Sequence, residues 1–168
     1  AGWRSLLRER WITIAAASML IVAGYYLRVN VSAHIPLRAQ SPSDFFEFLL
    51  ACLAWPGNPG MIIAVIFWFP YALFLVYFVS GKVQDGPRER FVLGMGLWVL
   101  LQAAALALLR GHSPEGLESR YMDILSFGLI ANVMCATWLI NEAKRGRFML
   151  LFTIVWLPIN GLALYAIS

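Results

Sequence analysis

Leu109-Arg110-Gly111-His112-Ser113-Pro114-Glu115-Gly116-Leu117-Glu118-Ser119-Arg120-Tyr121-Met122-Asp123 gathers arginine, histidine, glutamate and aspartate side chains, and it separates two long apolar runs, 91–109 and 121–141. Each run approaches the roughly 20 residues that a helix needs to cross bilayer hydrocarbon. Charged groups are costly beside hydrocarbon, so such a run belongs at a water-facing turn between two spans. On that reading the chain is all-α, a polytopic transmembrane helical bundle.

Composition points the same way. Of 168 residues, 61% are hydrophobic and 13% charged, against about 25% charged in ordinary soluble domains. The 7 Trp, 6 Tyr and 11 Phe suit helices anchored by aromatic rings at membrane interfaces. Working outward, the apolar pattern predicts about five spans in a single transmembrane domain, 1–168, near 11–27, 60–80, 91–109, 121–141 and 148–167. Pro70 and Pro158 fall inside the second and fifth, where membrane helices tolerate a kink. Gly94, Gly96, Ala103 and Ala107 offer the third span small residues for close helix approach. The fourth helix has an earlier start available at Pro114, behind a Ser113 cap.

One further helix is expected near 42–55. Ser41-Pro42-Ser43-Asp44 combines a capping residue, a proline at the first helical position and an acid in the first turn. Pro56-Gly57-Asn58-Pro59 halts that helix before it is long enough to span, which makes it interfacial or re-entrant. Cys52 and Cys135 form no metal-binding spacing, and their positions disfavour a bridge. The chain begins Ala1-Gly2-Trp3, as a trimmed, processed or partial chain does. The first apolar run is too long, and lacks the small-residue pattern, for a cleavable signal peptide.

Loop charge sets the orientation. With the N-terminus cytoplasmic, nine basic residues lie inside (Arg4, Arg8, Arg10, Lys82, Arg88, Arg90, Lys144, Arg145, Arg147) and four outside (Arg28, Arg38, Arg110, Arg120). The C-terminus is then extracytoplasmic, and a bacterial inner membrane is the expected location. The net charge of +4 reads as topological, and nucleic acid is not an expected partner.

This orientation gathers His34, His112, Asp44, Glu47, Glu115, Glu118 and Asp123 on the outer side, in segments 28–58 and 110–123. Each segment holds a Ser-Pro helix start, so helix N-terminal amides and arginines face one region, an arrangement suited to phosphate. Arg110, Arg120, Ser119 and Tyr121 are the candidates for phosphate or lipid-headgroup binding, and Glu115 and Asp123 for general acid or base work. The competing reading is a solvated rim: Arg120 and Asp123 pair across one helical turn, the acids complement helix dipoles, and Tyr121 anchors at the interface. Asn30-Val31-Ser32 matches a glycosylation acceptor.

Absences narrow the chemistry. No histidine lies within an expected span, so bis-histidine haem ligation inside the bilayer is excluded, and neither cofactor nor metal is expected. Gln102, Asn132 and Asn160 are the deep polar residues, and no Asp, Glu, Lys or Arg sits near a span centre, which disfavours proton pumping and ion-coupled transport. P-loop, GxSxG and HExxH patterns are missing.

Arg110-Gly111 ending one apolar run and Ser119-Arg120-Tyr121 opening the next resemble a pattern in large bacterial polytopic membrane proteins of unknown function. In those a Gly-Arg pair ends one span and Ser-Arg-Tyr begins the next, and they are distantly similar to C-type glycosyltransferases, which use polyprenyl-phosphate sugars. Leu53-Ala54-Trp55-Pro56-Gly57-Asn58-Pro59 resembles a further segment of theirs, so the likeness covers roughly 45–140. This chain reverses the Gly-Arg order and carries Leu117-Glu118 where small residues are usual. The resemblance implies a C-terminal part or degenerate relative of a lipid-linked-sugar transferase, with extracytoplasmic phosphate binding. The residues themselves, lacking a complete active site, favour a non-catalytic accessory subunit of a larger membrane complex, such as an energy-transducing assembly. Membrane lipids and other membrane subunits are its expected partners.

Overall fold

The structure is a computed structural model and describes residues 11, 15–16, 18–24, 26–27, 35–57, 59–84, 86–113, 117, 119–142 and 146–167. Every regular element among these is a helix. Two units divide the chain, Ala1–Ile35 and Pro36–Ser168. In the first, residues 18–24 are helical and the Leu27 amide donates to the Ala23 carbonyl. The second holds α1 (Pro42–Ala54), α2 (Met61–Val79), α3 (Pro87–Arg110), α4 (Ser119–Glu142) and α5 (Gly146–Ile167).

Three stretches are long and apolar enough to cross a membrane among the described residues: Met61–Val79, Pro87–Arg110 and Tyr121–Asn141. They answer the spans expected near 60–80, 91–109 and 121–141, with α3 beginning earlier because Pro87 occupies its first turn. The expected spans near 11–27 and 148–167 fall partly outside the described residues, and in the latter the described apolar segment is Leu150–Leu162. The alternative helix start at Pro114 also lies outside them. The chain is thus an all-α helical membrane protein.

Lipid is as apolar as a helix interior, so helices in a bilayer associate through close packing and hydrogen bonds rather than by burying apolar surface from water. The buried face of α3 follows that rule: Val92, Gly96, Val99, Ala103 and Ala107 recur every three or four residues. Gly96 lies directly beneath the Tyr71 ring. Gly94, expected at the same contact, is exposed and has open space around it. Two residues along a helix turn a side chain through some 200°, so Gly94 and Gly96 cannot share an interface. Gly128 of α4 allows a similar approach, its added Cβ lying 3.1 Å from the Trp68 ring and 3.2 Å from Val99.

Hydrogen bonds join the same helices. The Tyr71 amide, next after Pro70, donates to Asn132 Oδ1 at 3.1 Å, and Asn132 Nδ2 donates to the Gly128 carbonyl. The Tyr71 hydroxyl donates to the Leu93 carbonyl at 2.7 Å. One tyrosine therefore links α2 to both α3 and α4.

The short helix α1 begins and ends where the capping and stop signals predict, and it packs against both α2 and α3. Its Phe48 and Cys52 join Val99, Ala103, Ala107 and Leu125 in one cluster. Thirteen residues make it roughly 20 Å long, and it lies along the C-terminal half of α3. Its last carbonyls would otherwise lack donors. Gly57 N donates to Ala54 O at 2.7 Å, and the Trp68 indole donates to Leu53 O at 3.1 Å. The Trp55–Pro56 bond that follows is cis. Cys52 and Cys135 are free, as expected, and both are buried, Cys52 against the expectation that it lies shallower than Cys135.

Candidate functional site

Segments 36–44 and 108–113 meet where α1 starts and α3 ends, which joins parts of the two stretches that the sequence places on one face. The Ala39 amide donates to Leu108 O at 3.1 Å, and the His112 amide donates to Leu37 O at 3.1 Å. The first bond satisfies a carbonyl in the last turn of α3, which has no donor within its own helix. Gly111 makes this approach possible. An added Cβ would lie 2.6 Å from Ala107 O, 2.8 Å from Ala39 Cβ and 3.1 Å from Asp44 O, while its backbone stays in the ordinary helical region. Gly111→Ala is therefore expected to weaken the junction by about 1 kcal/mol through overpacking. Hydrogen exchange at the Ala39 and His112 amides reads it, and unchanged protection would refute the close approach.

Asp44 stands at the centre of the junction. Ser41 is extended and caps α1: its Oγ accepts from the Asp44 amide at 3.1 Å and donates to Asp44 Oδ1 at 2.6 Å. Asp44 Oδ2 accepts from the Gln40 and Ser41 amides at 2.9 and 3.2 Å. His112 Nδ1 lies 3.4 Å from the same oxygen. Nearby, the Ser43 hydroxyl donates to Glu47 at 2.9 Å. The Ser41 hydroxyl, then the Gln40 amide, and least of all the charge at His112 hold the Asp44 carboxyl below its ordinary 3.8. A folded pKa below the unfolded one contributes stability that is present above the unfolded value and lost as pH falls through the folded one. Melting temperature is therefore expected to drop on the acid side below about 3.8, and Asp44→Asn should flatten that limb. An identical acid limb in the variant would refute the assignment.

The other sequence candidates spread around this junction. Arg110, partly buried, closes α3, where a cation complements the helix dipole. Arg38 has a buried Nε with no hydrogen-bonding partner among the described residues. Ser119 and Arg120 open α4, but their side chains, and with them the expected Arg120–Asp123 pair, lie outside the described residues, as do Glu115, Glu118, His34 and the 30–32 acceptor tripeptide. Tyr121 is partly buried and already engaged. Asp123 is exposed, its carbonyl accepting from the Ser126 hydroxyl at 2.6 Å.

Chemically, the junction is a carboxylate–imidazole pair, and Arg38 and Arg110 belong to the two segments that form it. Amides before and at the start of α1, which the sequence offers to an anion, are engaged by Asp44. The sequence names His112 and Asp44 separately; the Ser41–Asp44 spacing was a legible signal for the cap, but nothing local signals their pairing. Among the described residues, no three His, Cys, Asp or Glu side chains are grouped as metal ligands.

A second feature is an apolar groove of about 370 Å³, lined by Leu50 and Leu53 of α1, Leu100 of α3 and Met61, Val65 and Trp68 among residues of α2. With this lining it accepts an apolar chain and offers little to a polar ligand. No protein-family profile, curated protein or solved structure matches the chain.

Proposed function

We propose that the chain is a non-catalytic accessory subunit, embedded in the membrane as part of a larger assembly of membrane proteins. The observation that carries this reading is how its described reactive groups are used. Asp44 completes the capping box of α1, Asn132 joins α2 to α4, and both thiols are buried inside the bundle. Meanwhile its helices turn large apolar side chains outward, among them Met61, Val65, Leu101 and Ile154. Such faces suit lipid and neighbouring subunits equally. Mild-detergent extraction from the native membrane, followed by native mass spectrometry, is expected to recover the chain with partner subunits. A lone, stable monomer would overturn the proposal.

A relative of lipid-linked-sugar transferases is the second reading, and the meeting of 36–44 with 108–113 favours it. In that case Arg110, Arg120, Ser119 and Tyr121 hold the phosphate, and Glu115 or Asp123 assists. Polyprenyl-phosphate binding to Arg120→Ala and to the unaltered chain distinguishes the two readings, because equal binding removes the second. The proposed topology has five spans, an interfacial or re-entrant α1, a cytoplasmic N-terminus and an extracytoplasmic C-terminus in a bacterial inner membrane. Single cysteines introduced at Lys82 and His112 should then react with impermeant reagents from opposite sides.

A further inference from the structure

We infer that α5 holds a hydroxyl group inside the bundle, between Trp156 and Asn160. Both residues are buried, at 2% and 5% exposure. Four positions apart on one helix, they share a face. Asn160 Nδ2 donates to the Trp156 carbonyl at 2.8 Å, which orients the amide and leaves Oδ1 as an acceptor. Among the described residues, neither Asn160 Oδ1 nor the Trp156 indole N–H meets a hydrogen-bonding partner.

Asn132 supplies the contrast. It makes the same bond back to the carbonyl four residues before it, yet its Oδ1 accepts from the Tyr71 amide. Asn160 has the same local geometry without the protein donor. Between Trp156 and Asn160, Pro158 removes the donor for the Ile154 carbonyl, so the helix is short of hydrogen bonds at this place.

An unpaired donor and an unpaired acceptor in apolar surroundings are each unfavourable. One hydroxyl answers both, accepting from the indole and donating to the amide oxygen. The Cβ atoms of residues one helical turn apart are about 5–6 Å from each other, and one oxygen about 2.9 Å from each of two partners bridges groups up to roughly 6 Å apart. A cation would oppose the indole N–H, and an anion would oppose the carbonyl oxygen. Because both side chains are already buried within the chain, a partner helix does not reach them.

The chemistry is that of water or of a lipid-soluble alcohol or phenol. Phe69 lines the apolar groove and packs on Phe152 at 5.1 Å, one turn along α5 from Trp156.

The test uses the full chain in lipid nanodiscs. Ultraviolet resonance Raman difference spectra, unaltered minus Trp156→Phe, are expected to show a hydrogen-bonded indole at Trp156. Asn160→Leu should weaken that signature and Asn160→Asp retain it. The unfolding equilibrium constant should rise about tenfold in Trp156→Phe and in Asn160→Leu, with the double variant little worse than either, because both lose one shared partner. A cross-peak between the ¹⁵N-indole proton and water identifies water; a stoichiometric alcohol or phenol in the organic extract identifies the lipid-soluble source. An indole signature free of hydrogen bonding in the unaltered chain would overturn the inference, and that spectrum needs no variant to fold if the indole is read by its ¹⁵N resonance. Unchanged or increased stability in Trp156→Phe would overturn it equally.

Discussion

Gly96→Val is expected to destabilise the bundle by about 3 kcal/mol, toward the upper part of the range for overpacking a tight interface. Gly96 faces the Tyr71 ring so closely that even an added Cβ overlaps it, with the ring Cδ2 at 2.6 Å. That ring has little freedom to withdraw. Tyr71 is 2% exposed, its hydroxyl is bonded to the Leu93 carbonyl, and its edge meets Trp68 at 5.7 Å. Moving it therefore breaks a hydrogen bond and disturbs a second aromatic contact. Gly96→Ala should cost less, and the cost should shrink further in a Tyr71→Leu background, where the ring is gone. Unfolding in mixed detergent micelles measures each variant. A Gly96→Val chain as stable as the unaltered one would show that α2 and α3 are not held at this distance.

The second large effect belongs to Asn132. Asn132→Leu is expected to cost about 2 kcal/mol. Part of that is a lost interhelical bond, and part is the buried Tyr71 amide left without Asn132 as its acceptor. Asn132→Asp keeps an acceptor but places a charge in the bundle, so it should not restore stability. Pro70 offers a sharper check. Proline disturbs the helical ladder around itself, which is where Asn132 supplies an acceptor from a neighbouring helix. In a Pro70→Ala background the ladder can re-form, and Asn132→Leu should then cost less than it does alone. Strict additivity of the two substitutions would refute the coupling.

Much of the helix layout was legible because its signals are local. Ser41-Pro42-Ser43-Asp44 is a helix start in any context, and the structure puts Ser41 and Asp44 in a reciprocal cap. Apolar length located α2, α3 and α4, and the unpaired state of the cysteines followed from their separate settings. The candidate site was legible only in outline. Its two segments were expected to share a face, yet the Asp44–His112 contact and the part played by Gly111 were not visible.

The reason lies in the solvent. In a water-soluble helix the polar and apolar faces differ, so periodicity reveals which side packs. In a bilayer the outside is as apolar as the inside, and Gly94 and Gly96 look equivalent until α2 is placed against one of them. By itself the sequence determined that this is a helical membrane protein, where its charged turns fall, and how α1 begins. Only the tertiary structure decided which small residue receives Tyr71, that Asn132 accepts the amide beside Pro70, and that Asp44 faces His112. Those contacts join residues far apart in the chain, and nothing in a uniformly apolar helix face marks them in advance.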